Sequence, residues 1–260
     1  MALTYAKYLN LDKLLDLQKT RSKPTEHDET LFIIIHQAIE LWFKQIINEL
    51  ELLRNELEKG HTWKSIKTFN RILEILKSIV GQTDILETMS PLSYKHFRTF
   101  LENASGFQST QFQEIELFCG LYYPNKMKQF KNDSKLFKRL KKRLTERTLW
   151  ESFCTFLSKK GYPVDYPDRV NKEGLLFKPS QNNQDILINI MNNDHEIALL
   201  CELFVDFDEE LQEWRYRHVK MVERTIGSQN GTGKSNGIEY LKSTLHQTVF
   251  PDLWAIRSKL

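Results

Sequence analysis

The sequence predicts an all-α protein, and two observations carry that prediction. Apolar residues recur at three- and four-residue spacing along most of the chain, which is the period of a helix with one buried face. No stretch shows alternating β-branched residues bounded by hairpin turns, the pattern of a half-buried strand. Because no internal repeat or low-complexity linker divides the chain, we expect residues 1–260 to form one domain.

The first long helix is predicted from about Asp28 to Leu57, and a second from about Trp63 to Ile79. The first begins with a segment that is apolar nearly all round. Its polar side is only a narrow stripe of Gln37, Glu40 and Lys44. We therefore expect this helix to be deeply buried.

A third helix opens with Ser90 as the N-cap and a proline at the first helical position, where a missing N–H is harmless. Segments rich in Pro, Gly and Asn, at 122–132 and 160–184, predict loops around a basic helical hairpin. A long helical pattern then runs from Asp185 to Ile226, with a break near residues 192–194.

Composition and charge are those of an ordinary soluble globular protein, with 40% hydrophobic and 27% charged residues. The formal net charge of +3 is too small to indicate a nucleic-acid partner. One basic run, from Lys135 to Arg147, has apolar residues at helical spacing, so we interpret it as the solvated face of a helix. A helical nucleic-acid-binding module is the alternative.

Cysteine usage and the N-terminal segment bear on location. Cys119, Cys154 and Cys201 are widely spaced and form no CxxC or Cys/His metal pattern, so we expect buried free thiols in a reducing compartment. The first 17 residues carry charges among their apolar positions, and no uncharged run reaches the length of a membrane span. We expect a cytoplasmic protein without a membrane partner.

Two histidines, His36 and His218, fall on the apolar stripes of their helices instead of on the polar sides. The stripes are Phe32, His36, Ile39, Phe43, Ile46 and Leu50 in one helix, and Leu211, Trp214, His218, Met221 and Thr225 in the other. A buried imidazole without a partner is costly, so each needs a hydrogen bond, a metal or a ligand. Taken singly, each is more often a satisfied core residue.

A tyrosine–arginine pair and a glycine-dense segment are further candidate parts of a ligand-binding site. Tyr94 and Arg98 are four residues apart and share a face of the third helix. Residues 227–237 form a glycine-dense segment whose GTGKS resembles a phosphate loop, but the first glycine of that motif falls on Ser228 and a helix precedes it. We expect a flexible loop that closes over a small ligand. Together these features predict a site for a flat cofactor and a small anionic substrate.

Five segments, spread over nearly the whole chain, carry a resemblance to a known family. They are HDETLFIIIHQAIELWFKQI from His27, TYAKYLNLDKLLDLQ from Thr4, SPLSYKHFRTFLENASGFQS from Ser90, WRYRHVKMVERTIG from Trp214, and the GTG loop followed by FPDLWAIRSKL. In these segments the sequence resembles the tryptophan 2,3-dioxygenase family. The resemblance implies a homotetrameric, histidine-ligated haem enzyme that opens the indole ring of L-tryptophan with O2. The product would be N-formyl-L-kynurenine, and the reaction would be the first step of tryptophan catabolism by the kynurenine route.

The resemblance also implies roles for individual residues. His218 would be the axial ligand of ferrous haem b, and His36 would orient the substrate by accepting a hydrogen bond from the indole N–H. Arg98 would bind the substrate carboxylate as a bidentate, charge-assisted pair. The other substrate-binding residues that the resemblance implies are Phe32, Ile33, Ile34, Ile35, Tyr94, Thr232 in the glycine-dense loop, and Tyr5 from a neighbouring subunit.

Residues that flank His218, and two positions that differ from the family pattern, bear on the cofactor and the substrate. Arg215 and Arg217 flank His218, and we expect them to serve the haem propionates. The family usually has arginine where this chain has Gln113 and glycine where it has Lys234, which leaves substrate preference open. One alternative is a related histidine-ligated haem monooxygenase acting on another aromatic amino acid or indole. Another is a catalytically silent haem sensor, which would have no use for an amino-acid clamp.

Overall fold

The computed structural model describes residues 2–170, 174–227 and 237–260, and most of these residues are helical. The helices are α1 (Tyr5–Leu9), α2 (Leu11–Leu14), α3 (His27–Lys59), α4 (Thr62–Leu86), α5 (Pro91–Arg98), α6 (Thr110–Phe118), α7 (Pro124–Lys128), α8 (Ser134–Thr145), α9 (Leu149–Lys159), α10 (Gln181–Asn193), α11 (His195–Ile226), α12 (Gly237–Ser243) and α13 (Pro251–Ala255). Short 3-10 turns lie at Thr99–Leu101, Gly106–Gln108 and Arg257–Lys259. The all-α prediction is confirmed.

The long helices begin and end where local chemistry dictates. Gly60 ends α3 because its φ of 81° lies in the left-handed region, and its N–H bonds the Glu56 and Leu57 carbonyls. The predicted break near 192–194 is confirmed, since α10 ends at Asn193. Asp194 then caps α11 by accepting a hydrogen bond from the Ile197 N–H.

The loop predictions for 122–132 and 160–184 are partly wrong. The first range contains α7, and the second contains the start of α10, four residues before the expected Asp185. Each range also contributes to an antiparallel pair, β1 (Leu121–Tyr122) with β2 (Gly174–Leu175). Local patterns could not reveal this pairing, because each two-residue strand is stabilised by a partner about fifty residues away in the chain.

The core lies where α4 packs against both α3 and α11, and where α9 packs against α3. Phe204 of α11 is fully buried at its centre. Its ring centroid lies 4.5 to 4.8 Å from those of Phe69, Phe153 and Phe250. These contacts join four separate parts of the chain, so α11 is held in a rigid aromatic framework.

The prediction that α3 is deeply buried is wrong for one of its sides. Leu41 is 54% exposed and Leu52 is 43% exposed, while Ile46 and Leu50 are fully buried. The sequence pattern reports an apolar surface but not whether this chain itself covers it. By length and composition, α3 is also the one helix of the described part of the chain that meets the criteria for a membrane span. Core helices meet the same criteria, so the absence of a membrane partner stays a prediction.

The entry into α3 is fixed by a buried carboxylate, Glu29. It accepts hydrogen bonds from the Ser22 hydroxyl and from the backbone N–H groups of Arg21 and Ser22, the last two at 2.7 and 3.0 Å. Burial alone would raise the pKa of Glu29, but these hydrogen bonds outweigh it and lower the pKa. The ionised carboxylate therefore stabilises the folded state.

Glu29→Gln is expected to lower the free energy of unfolding by about 1–3 kcal/mol at neutral pH, because it weakens charge-assisted hydrogen bonds. A lowered folded pKa contributes stability that is complete above the unfolded pKa and is lost as pH falls through the folded one. The difference from wild type should therefore shrink below about pH 4. Urea titrations across pH measure it, with Asp28→Asn in the same turn as the control. A difference that is constant with pH would contradict the assignment.

Candidate active site

The first part of the site is a pair of rings on α3. Phe32 and His36 lie one turn apart, with ring centroids 4.1 Å apart. Nδ1 of His36 lies 2.7 Å from the Phe32 carbonyl oxygen. A carbonyl only accepts, so Nδ1–H is the donor and Nε2 is left as an acceptor. Burial lowers the pKa of His36, outweighing the Phe32 carbonyl and Glu40, so the imidazole is neutral at physiological pH.

The second part is His218 on α11. Its ring is stacked on Trp214, with centroids 5.5 Å apart. Burial lowers the pKa of His218 to about 4, and the nearby His36 adds to this effect. Within the described ranges, His218 has neither a hydrogen-bond nor an ion-pair partner. It is therefore a neutral imidazole whose lone pair is available to a ligand.

The two helices approach each other through aromatic rings. Phe43 of α3 and Trp214 of α11 have ring centroids 5.9 Å apart. His36 is two turns before Phe43, and His218 is one turn after Trp214. Both helices pack against α4 and α5, and His36 is close enough to His218 to contribute to the lowering of its pKa.

The third part comes from α5, which Ser90 caps by accepting a hydrogen bond from the Ser93 N–H at 3.0 Å. Tyr94 packs beside Phe32 with ring centroids 5.9 Å apart. Burial raises the pKa of Tyr94, and the adjacent positive charge of Arg98 partly offsets this. The phenol therefore stays protonated, and Arg98 places a cation near Tyr94, whose ring packs beside Phe32.

The sequence analysis did not identify Phe97. This residue is fully buried, and its ring packs against those of Phe32 and Tyr94. Its ring centroid is 5.4 Å from that of Phe32 and 5.3 Å from that of Tyr94. Its spacing of three residues from Tyr94 was the available signal. Phe97 joins α5 to α3 and so fixes where Arg98 lies.

The remaining predicted residues are distributed unevenly. Ile35 is buried in the core and Ile34 is 46% exposed, because consecutive helical residues point in different directions. Tyr5 lies on α1 and is 74% exposed. Thr232 and Lys234 lie outside the described residues. The substrate contacts expected of all these residues, and of Ile33, stay predictions.

The expectation that Arg215 and Arg217 serve propionates is not supported, because both have protein partners. Arg215 is 5% exposed and donates from Nη1 to the carbonyl oxygens of Thr244 and Gln247, both at 3.3 Å. Arg217 forms ion pairs with Asp84 on α4 and with Glu87, which follows the end of α4. Both arginines thus tie α11 to other parts of the fold.

The arrangement suits a flat, apolar group that carries a metal. A neutral histidine without a protein partner in the described part of the chain can bind a metal through nitrogen, and the Trp214 and Phe43 rings beside it offer apolar surface. Two surface clefts, of about 300 and 730 Å³, lie elsewhere and are lined mainly by charged side chains. The fold and the site therefore define a helical protein whose histidine pair fits haem, with a cation beside it for an acidic ligand.

Comparisons with known proteins agree with that class. A sequence model of the family described as tryptophan 2,3-dioxygenase matches residues 1–160 and 173–260. The chain is 49% identical over 261 residues to tryptophan 2,3-dioxygenase of Herpetosiphon aurantiacus, covering 100% of this chain and 99% of that protein. It is 45% identical to that of Anaeromyxobacter dehalogenans (100% and 97% covered) and 37% to that of Bacillus anthracis (99% and 93%). The chain belongs to the tryptophan 2,3-dioxygenase family.

Proposed function

We propose that this protein is a haem-dependent dioxygenase that converts L-tryptophan and O2 to N-formyl-L-kynurenine, with residues 1–260 acting as one domain. The indole C2–C3 bond breaks, and each of the two carbons receives one oxygen atom. The reaction therefore balances without an external reductant. The observation that carries the proposal is the pair of neutral imidazoles, His36 and His218, beside a tyrosine–arginine pair.

His218 is the residue that would hold haem b, because its imidazole is neutral and has no other polar partner in the described part of the chain. When bound, ferrous haem supplies the site and the electrons that make O2 reactive. The stacked Trp214 ring limits how the imidazole can rotate. The protein thereby presents one nitrogen in a fixed direction.

His36 positions the substrate. Its Nδ1–H is engaged by the Phe32 carbonyl, so Nε2 is left as an acceptor for the indole N–H. Phe32 packs against the same imidazole and offers a ring face to the indole. An acceptor and a ring face together set the angle at which C2 and C3 meet the oxygen. We assign His36 to orientation more than to general-base catalysis.

The amino-acid end of the substrate is held by charge. Arg98 is the residue that would bind the carboxylate as a bidentate pair, and its proximity to Tyr94 supports this role. Thr232, outside the described residues, completes this end. Tyr5 completes the pocket of a neighbouring subunit in a homotetramer, which its exposed position on α1 permits. The enzyme acts in the cytoplasm.

Absorbance spectra and product analysis test the proposal together. The purified protein supplied with haem should show a Soret band that shifts with dithionite and again with L-tryptophan. With isotopically heavy O2, the product should carry two heavy oxygen atoms. A colourless protein, or a coloured one that leaves tryptophan unchanged, would contradict the proposal. A product with one heavy oxygen atom would favour the haem monooxygenase alternative.

A further inference from the structure

The C-terminal segment, residues 242–257, runs back along α11 in reverse order. Four sets of polar contacts mark its course. They are Lys242 with Glu223 at 2.8 Å, Thr244 and Gln247 with Arg215, the 249–254 stretch with Asp208, and Arg257 with Glu202 at 2.8 and 2.9 Å. The C-terminal segment is therefore fastened to α11 over most of the helix. The contacts at Arg215 and Glu223 bracket His218.

Asp208 makes the central set of hydrogen bonds between α11 and the C-terminal segment. It is fully buried, and one of its oxygens accepts hydrogen bonds from the Val249 N–H at 2.8 Å, the Phe250 N–H at 3.2 Å and the Trp254 indole N–H at 2.8 Å. Its other oxygen accepts from the Gln212 side chain at 3.1 Å. A buried carboxylate with four donors fixes its surroundings in one geometry.

Arg215 makes a second set of hydrogen bonds to the C-terminal segment, two helical turns further along α11. Its Nη1 donates to two backbone carbonyls of the C-terminal segment, and its Nη2 lies 3.8 Å from the buried Glu116. At 3.6 residues per turn, the side chains of Arg215 and His218 leave the helix about 60° apart. Any rotation of α11 that turned His218 would therefore also pull Arg215 away from its carbonyl partners.

We propose that Asp208 and Arg215 are positioning residues for the candidate axial ligand. By holding the C-terminal segment against α11, they fix the rotation of that helix and hence the direction of the His218 imidazole. The proposal rests on the proposed function, in which His218 binds haem iron. It adds that iron binding by His218 depends on two charged residues whose hydrogen-bond partners belong to the protein.

Asp208→Asn and Arg215→Lys test this on the haem-loaded protein. Asp208→Asn keeps the shape of the side chain but removes its charge. Arg215→Lys keeps the positive charge but replaces the planar guanidinium, with its several N–H donors, by an ammonium group. Each is expected to raise the rate of haem transfer to apomyoglobin about tenfold, as loss of an outer partner of a ligand does. Each should also shift the iron–histidine stretching band of the ferrous protein. Trp254→Phe, which removes a single donor to Asp208, should give a smaller change in the same direction.

Asp252→Asn is the matched control. Asp252 is also a buried carboxylate of the C-terminal segment, but it accepts from Ser180 and Gln184 and so ties the segment to α10. The control should leave the haem transfer rate and the stretching band unchanged. The proposal is overturned if the control changes both as much as the test variants do. It is also overturned if all the folded test variants match wild type.

Hydrogen exchange in the haem-free protein separates this proposal from the proposed function. Asp208→Asn should speed amide exchange in α11 around residues 215–223 more than Asp252→Asn does. Equal exchange in the two variants would overturn the positioning role, whether or not wild type takes up haem. Failure of wild type to take up haem would instead overturn the proposed function.

Discussion

Replacement of His218 by alanine is expected to abolish haem retention. The imidazole is neutral because burial lowers its pKa to about 4, and within the described residues no protein group pairs with it. Loss of a partner behind a metal ligand already costs roughly 10- to 100-fold in affinity, so loss of the ligand itself should cost more. The Soret band of the purified variant should be absent or greatly reduced. Tryptophan turnover should disappear with it.

The matched control is His195→Ala, which removes an exposed imidazole from the first turn of the same helix. It should keep wild-type haem content and activity. Exogenous imidazole offers a further check, because a small ligand can occupy the space that the missing side chain leaves. Partial recovery of the Soret band in His218→Ala with added imidazole would support ligation by that residue. Normal haem content in His218→Ala without any addition would exclude it.

Both histidines were predictable because their signal is local. A polar residue on an apolar helical stripe is visible from spacing alone, and this holds for His36 and His218. What spacing cannot give is that two stripes about 180 residues apart face each other. That depends on α4, which packs against both helices, and on the contact between Phe43 and Trp214. The resemblance to a family implied only that both histidines belong to one site.

The same local signal is present at Asp208 and Arg215. Asp208 follows Phe204 by one turn and precedes Leu211, so it too falls on the apolar side of α11. Arg215 was instead expected to serve a propionate because it flanks His218. Its partners Thr244 and Gln247 could not be foreseen, since they lie about thirty residues further along the chain. A residue on an apolar stripe needs a partner, but the sequence does not say which one.

Replacement of Arg98 by leucine should weaken the use of L-tryptophan far more than the use of tryptamine. A buried charge pair that loses one partner typically costs about 2–4 kcal/mol, or roughly 30- to 1,000-fold in kcat/KM. Tryptamine has the indole but no carboxylate, so it has no such pair to lose. Arg98→Leu should therefore lower kcat/KM for L-tryptophan by that factor and leave the value for tryptamine within about threefold of wild type.

The selectivity of this loss separates binding of the carboxylate from support of the fold. Arg98 lies one residue after Phe97, whose ring packs on Phe32, so a structural disturbance would reach the indole side of the site. It would then lower kcat/KM for both substrates alike. Arg98→Lys should recover only part of the loss, because an ammonium group lacks the planar fork that pairs with both carboxylate oxygens. Lys95→Ala, at an exposed position of the same helix, should change neither value. Equal losses for the two substrates in Arg98→Leu would remove Arg98 from the carboxylate site.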